Sequence, residues 1–299
     1  MSQNNKGRII RIGSRESKLA VTQSQIVKDM ILNEYPDMSV EIVTMKTTGD
    51  MILDKSLELI GGKGLFVKEL DVALNEGRID ISVHSLKDMP MEVPEEFPVF
   101  AYTKREDPRD VLVYKPGKSN VPQEGVIATS SRRRALQAKA LYPKCSFTGI
   151  RGNVQTRLRK LSENPIDATI LAAAGLRRLN MDEVIGKIFT VDEVIPAAGQ
   201  GILGVQGSLE MKKLLKDCLN HRESEIAALA EREFVSVLDG GCTSPIAAHA
   251  RIYGETVKLT GLYYREDDNS YFVRHTTDDV KNARKAGARL AMEMREKYE

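Results

Sequence analysis

Cysteine is scarce in this sequence: its 299 residues include only Cys145, Cys218 and Cys242, an odd number with no Cys-x-x-Cys pair. That usage argues against a disulfide framework or a thiolate metal cage and suits a reducing compartment. The four histidines are scattered, with no zinc-site spacing, so no metal is expected. Long apolar runs are missing too. The longest, near Ile170 to Leu176, is alanine-rich and too short to cross a bilayer, and Met1 to Arg8 carries no apolar stretch of a secretory signal. A cytoplasmic protein without a membrane partner is expected. No repeat or low-complexity segment occurs. The net charge of only +2 excludes a strong pull of the whole molecule on nucleic acid. What remains is globular: 41% hydrophobic and 29% charged, with length for two or three domains.

The first third alternates strand and helix signals. Arg8 to Gly13 reads as a strand with Ile10 and Ile12 on one face, and Ser17 to Tyr35 as a helix with a stripe of Leu19, Ile26, Val27, Met30 and Ile31. Val40 to Met45 is a second strand. Phe66, Val67, Leu70, Ala73 and Leu74 then follow helical spacing up to a stop at Gly77, and Ile79 to Val83 is a third strand running into His84-Ser85-Leu86-Lys87-Asp88. Strands separated by helices favour parallel pairing, with ligands bound beyond their carboxyl ends. After a boundary near Lys104 to Asp107, where charge and Pro108 interrupt it, the pattern restarts. Val126 to Ala128 is a strand, Thr129-Ser130-Ser131 can cap a helix with Arg132 to Arg134 in its first turn, and Ala168 to Ala173 is a buried strand. The last portion reads as an amphipathic helix from Ile226 to Leu238, strands at Ala247 to Tyr253, Val257 to Tyr264 and Tyr271 to His275, and a helix from about Asp278. That is a small α+β domain with an antiparallel sheet.

Charge is unevenly placed. Arg132 to Lys160 holds nine Arg and Lys residues and not one Asp or Glu. Guanidinium groups grip carboxylates through paired hydrogen bonds, and a helix N-terminus attracts anions as well. With few aromatics interleaved for base stacking and no nucleic-acid motif, a small anionic ligand is the better reading than DNA or RNA. Asp88, at a strand end beside Lys87, could hold an N–H or steady a cation, although such a residue alone is more often a turn former. Cys242, in Gly240-Gly241-Cys242-Thr243-Ser244-Pro245, could be a covalent attachment point. Gly199-Gln200-Gly201-Ile202-Leu203-Gly204 fits the dinucleotide pattern without its strand-turn-helix context and reads as an interdomain crossing. Gly61-Gly62-Lys63-Gly64 is not a Walker A loop but can bring Lys63 and backbone N–H groups to an anion. The segment Gly49 to Ile60 is a candidate cover over the cleft.

Seven pieces in order carry a resemblance: Ile12-Gly13-Ser14-Arg15-Glu16-Ser17, Gly61-Gly62-Lys63-Gly64-Leu65-Phe66, Val83-His84-Ser85-Leu86-Lys87-Asp88, Thr129-Ser130-Ser131-Arg132-Arg133-Arg134, Arg151-Gly152-Asn153-Val154, Gly199-Gln200-Gly201 and Gly240-Gly241-Cys242. Over nearly its entire length the chain resembles the porphobilinogen deaminase (hydroxymethylbilane synthase) family. The resemblance implies two α/β domains like those of type II periplasmic binding proteins plus a C-terminal α+β domain. Their boundaries would be 1–103 with 199–222, 104–198, and 223–299. It implies a monomeric transferase that joins four porphobilinogen units head to tail, releasing ammonia, on a dipyrromethane cofactor held through a thioether to Cys242. Asp88 would be catalytic. Lys87, Ser85, Thr129, Ser131, Arg133, Arg134 and Arg157 would bind the cofactor, and Arg15, Ser17, Lys63, Arg151, Asn153, Arg178 and Gln200 the substrate. The chain departs from the family at Arg132, usually apolar, and Gln206, commonly an acid. The runner-up is a non-catalytic binding protein for a carboxylated small molecule, since fold alone does not exclude one.

Overall fold

The computed structural model describes residues 8–47, 67–240 and 244–298, so Lys63, Cys242 and the segment 49–60 lie outside the described residues. Within it the chain builds three sheets. The first has the order β2-β1-β3-β10-β4 and the second β7-β6-β8-β5-β9. In the first, β1 (Ile9–Arg15) pairs parallel with β2 (Ser39–Met45) and β3 (Ile81–Ser85), the topology expected of strands joined by helices. Ile10 and Ile12 are fully buried beneath Val27 and Ile31 of α1 (Lys18–Glu34), as the two periodicities require. A second helix, α2 (Lys68–Asn75), covers β1 and β3 from Leu70 and Ala73.

Two strands run against the parallel grain. β10 (Leu203–Gly207) lies antiparallel between β3 and β4 (Val99–Tyr102), so the stretch read as an interdomain crossing is one only up to Ile202. In the second sheet β6 (Val126–Ala128) pairs parallel with β7 (Ser146–Thr148) and β8 (Ala168–Ala172), while β5 (Asp110–Tyr114) is antiparallel to β8 and β9 (Lys187–Ile188). This sheet carries α3 (Arg132–Leu141), α4 (Val154–Glu163) and the short α5 (Ala173–Arg178). After β10 come α6 (Leu209–Leu219) and α7 (Arg222–Val237). The antiparallel sheet β11 (Ala247–Tyr253), β12 (Thr256–Arg265) and β13 (Ser270–Asp279) then leads to α8 (Ala283–Tyr298). α7 and α8 pack closely: a Cβ on Gly287 would stand 2.3 Å from the Ala230 carbonyl oxygen, so only glycine fits there.

The chain passes between the first two sheets at 103–109 and again before β10, and the two passages are tied together. Glu106 N donates to the Gly201 carbonyl at 3.0 Å. Gly201 has a φ of 89°, and a Cβ there would lie 2.3 Å from the Glu106 oxygen. The fully buried Glu231 of α7 gathers both passages. It accepts from Arg105 Nη2 at 2.6 Å, Arg105 Nη1 at 2.8 Å, Gly199 N at 2.7 Å and Ala250 N at 2.7 Å. Burial alone would raise this carboxyl, but Arg105 and His249 outweigh it and bring it down to about 2. Glu231→Gln should therefore cost about 1.5–3 kcal/mol, the range for hydrogen bonds to a charged group, read as a lower urea midpoint at unchanged slope. An unshifted midpoint would show that the network adds nothing to stability.

Candidate active site

Parallel strands of both sheets deliver side chains at their carboxyl ends. Arg15 ends β1, and Ser85 ends β3 with Lys87 and Asp88 on the 3-10 turn that follows. Thr129 and Ser131 follow β6, Arg151 follows β7, and Arg178 ends the helix after β8. Three of the hydroxyl and amide residues are helix N-caps: Ser17 accepts from Ala20 N, Ser131 from Arg134 N and Asn153 from Thr156 N. Thr129 Oγ1 accepts from Ser131 N at 3.2 Å, and Gln23 Nε2 donates to Ser85 Oγ at 2.8 Å.

The antiparallel strands bring two further groups to the same edge. Because β5 opposes β8, its first residue, Asp110, lies beside Ala172 at the β8 carboxyl end. Because β10 opposes β3, Leu203 lies beside Ser85, and Gln200 falls just before it. Asp110 is fully buried and is the centre of the site. Arg133 Nη2 donates to it at 2.7 Å and Arg134 Nη2 and Nε at 2.7 and 3.0 Å. Gln200 Nε2 donates at 3.0 Å, while its Oε1 accepts from Lys87 Nζ at 3.3 Å. Arg133 Nη1 also donates to the Ile195 carbonyl at 2.5 Å, and Arg134 Nη1 to that of Ile170 at 3.2 Å. Burial would raise the Asp110 carboxyl, but the two guanidiniums and Lys87 hold it well below the usual carboxylate range. No acid in Arg132 to Lys160 neutralises these arginines; Asp110 reaches them from outside that stretch.

Even with Asp110 the site keeps an excess of positive charge. Burial pushes Lys87 down to about 8 and Arg157 down to about 10, and in each case neighbouring arginines push the same way. Against them stand Asp88, felt by both, and Asp110, felt by Lys87. Arg178, pushed by burial to about 10, donates to the Gly201 carbonyl at 2.6 Å. Arg157 Nε donates to the Gly152 carbonyl at 2.8 Å. A cavity of about 30 Å³, the size of a water molecule, opens between Arg15, Gln23, His84, Ser85 and Asp88. Beneath it, burial pushes His84 down to about 4, so the ring is neutral near pH 7. Ser82 Oγ donates to Gln206 Oε1 at 3.2 Å, and Gln206 Nε2 donates to Asp71 Oδ1 at 3.0 Å. His84 Nε2 lies 2.8 Å from the same Ser82 Oγ, which joins the ring to this buried polar chain. Arg132 stands apart, exposed, 3.7 Å from Glu266 and 5.6 Å from the centre of the Tyr264 ring. Among the described residues no cluster could hold a metal ion.

Comparison with known proteins gives this arrangement a family. The model of the porphobilinogen deaminase dipyrromethane cofactor binding domain matches residues 10–216, and that of the porphobilinogen deaminase C-terminal domain residues 225–296. The chain belongs to the porphobilinogen deaminase family. A porphobilinogen deaminase of Acetivibrio thermocellus is 50% identical over 286 residues, covering 95% of this chain and 97% of that one. One of Ruminiclostridium josui is 47% identical over 287 residues, covering 96% and 97%. Among solved structures, the methionine binding protein MetQ is similar at 10% identity and a TM-score of 0.44, over 68% of this chain and 84% of that one. Within the porphobilinogen deaminase resemblance, Asp110 is the residue that sequence reasoning missed. Its signal was indirect: a basic stretch with no acid of its own needs one from elsewhere.

Proposed function

We propose that the protein is a hydroxymethylbilane synthase, an enzyme of tetrapyrrole synthesis that joins four porphobilinogen units head to tail and releases ammonia with each. One observation carries the reading: cations from both α/β sheets converge on a site whose acids, Asp88 and Asp110, do not balance them. Such a site suits a ligand with several carboxylates. Each pyrrole of the substrate brings two, and charge-assisted hydrogen bonds contribute about 1.5–3 kcal/mol each.

The same donors suit the dipyrromethane that names the family's cofactor domain. When bound, that group supplies the pyrrole end to which the first unit is joined. Lys87, Ser85, Thr129, Ser131, Arg133, Arg134 and Arg157 would hold it, with Cys242 as its thioether anchor. A guanidinium has five N–H donors, and the protein acceptors around Arg133 and Arg134 use only part of each fork. Arg15, Ser17, Lys63, Arg151, Asn153, Arg178 and Gln200 would orient the incoming substrate. Its aminomethyl C–N bond breaks with the electron pair leaving on nitrogen, and Asp88 steadies the positive charge that develops on the ring.

Domain boundaries at 1–103 with 199–222, 104–198 and 223–299 belong to this reading, as does a monomeric, cytoplasmic transferase. No described helix is long and apolar enough to cross a membrane. The burial of Arg133 and Arg134 counts against a nucleic-acid face, and relatives named as deaminases over nearly the whole chain do not favour a non-catalytic binder. Intact mass tests the reading. Purified protein should be heavier than its sequence by two pyrrole units, and Cys242→Ser should abolish the increment. A bare-chain mass for the unsubstituted protein would sink it.

A further inference from the structure

Asp88 is exposed, and the hydrogen bonds that hold its turn run through the backbone carbonyls on either side of it. Its position is therefore set through the backbone of its turn. Leu86 and Met89 bury their side chains in one apolar cluster with Ile202 and with Ala228 of α7. Met91 packs instead against the core of the C-terminal domain. One helical turn beyond Ala228, and so on the same face of α7, stands Arg232. Its Nη2 donates to the Pro90 carbonyl at 2.6 Å and to that of Met91 at 3.1 Å, while Nη1 lies 3.5 Å from the Leu86 carbonyl oxygen. The acceptors bracket Asp88, two residues before it and two and three after. Met89 N closes the turn onto the same Leu86 carbonyl at 3.2 Å.

We propose that Arg232 is a positioning residue for the chemistry at Asp88: its planar fork spans the carbonyls of Leu86, Pro90 and Met91 and fixes the turn that presents the carboxylate. A guanidinium can reach acceptors on two sides at once, whereas a lysine ammonium is a single point of charge on a flexible stem. The contact also joins the turn to α7, the helix that runs into Gly240-Gly241-Cys242. Glu231, next to Arg232 in sequence, holds the two passages between the sheets. One helix thus grips both the turn bearing the acid and the crossing segments beside it. The inference rests on the proposed function only for the role of Asp88.

The test uses the primer-bearing holoprotein and two variants, R232K and R232A, so that one remains if the other does not fold. A misplacement of about 1 Å at a reacting group costs on the order of a hundredfold. The expected result is a kcat lower by about ten- to a hundredfold, a KM within about threefold of the original, and a retained two-pyrrole mass increment. The amide hydrogens of Lys87, Asp88, Met89 and Met91 should exchange faster in R232K, with exchange in α3 and α4 unchanged. Either an unchanged kcat beside a lowered melting temperature, or a raised KM at unchanged kcat, would overturn the assignment. Were the unsubstituted protein to lack the mass increment, the proposed function would fail instead, and the exchange comparison would still report whether Arg232 holds the turn.

Discussion

Asp88→Ala should turn over porphobilinogen about 10²–10³-fold more slowly than the unsubstituted protein, while folding normally and keeping its primer. The side chain is exposed at a turn whose backbone is held by Leu86, Met89 and Arg232, so truncation removes little packing. What it removes is a negative charge in a field dominated by cations, one that favours the charged forms of both Lys87 and Arg157. Positive charge develops on the substrate as ammonia departs, and the other acid that Lys87 feels, Asp110, is buried and engaged by Arg133, Arg134 and Gln200. Asp88→Asn separates charge from shape and should be nearly as slow as Asp88→Ala. Rates of ammonia release measured at saturating substrate decide the matter. Near-normal turnover in either variant would remove Asp88 from the mechanism.

Asp110→Ala should be the most destabilising single substitution at the site, costing about 3–5 kcal/mol, because it leaves two buried guanidiniums without their carboxylate. Arg133 and Arg134 are only 4% and 6% exposed, so water cannot replace the lost partner. Gln200 also loses one of its two acceptors, keeping the Pro108 carbonyl at 2.6 Å. The same pair makes stability depend on pH. A carboxyl held below its unfolded range contributes stability that is fully present above the unfolded pKa of about 4 and is lost as pH falls toward the folded value. Glu231, brought down to about 2, acts in the same direction. The unsubstituted protein should lose stability steadily on acidification below about pH 4, and Asp110→Asn should start lower and fall less steeply. Urea unfolding at several pH values reads both effects. Parallel curves for the two proteins would mean that Asp110 is not the ionised partner.

Much of the fold was legible because local pattern and tertiary burial agree. The Ile10 and Ile12 alternation, the α1 stripe through Val27 and Ile31, and the Val257 and Leu259 alternation of β12 each report a single buried face. Ser131 capping Arg134 N follows from hydroxyls placed before a helix. β5 and β10 were not legible as site elements. Both are buried, carry no alternation, and take their direction from partners far away in sequence. That is why Asp110 escaped notice, whereas Lys87, Arg133 and Arg134 were visible as motif residues. The rule that ligands gather at carboxyl ends of strands finds what parallel strands deliver, but not what an opposing strand contributes from its amino end. The arginines also look alike in sequence. Burial separates Arg133 and Arg134, committed to Asp110 and backbone carbonyls, from Arg132, which faces the C-terminal sheet.

The insertion of β10 between β3 and β4 bears on how the chain assembles as it leaves the ribosome. An interior strand of the N-terminal sheet is supplied by residues 203–207, synthesised after the entire second sheet. Until they emerge, β3 and β4 have no strand between them, and the apolar surface that Leu203 and Val205 later cover stays open. The middle unit, whose strands all lie within 110–188, can close first. The amino-terminal unit must wait, a delay set by topology in which contacts distant along the chain form last.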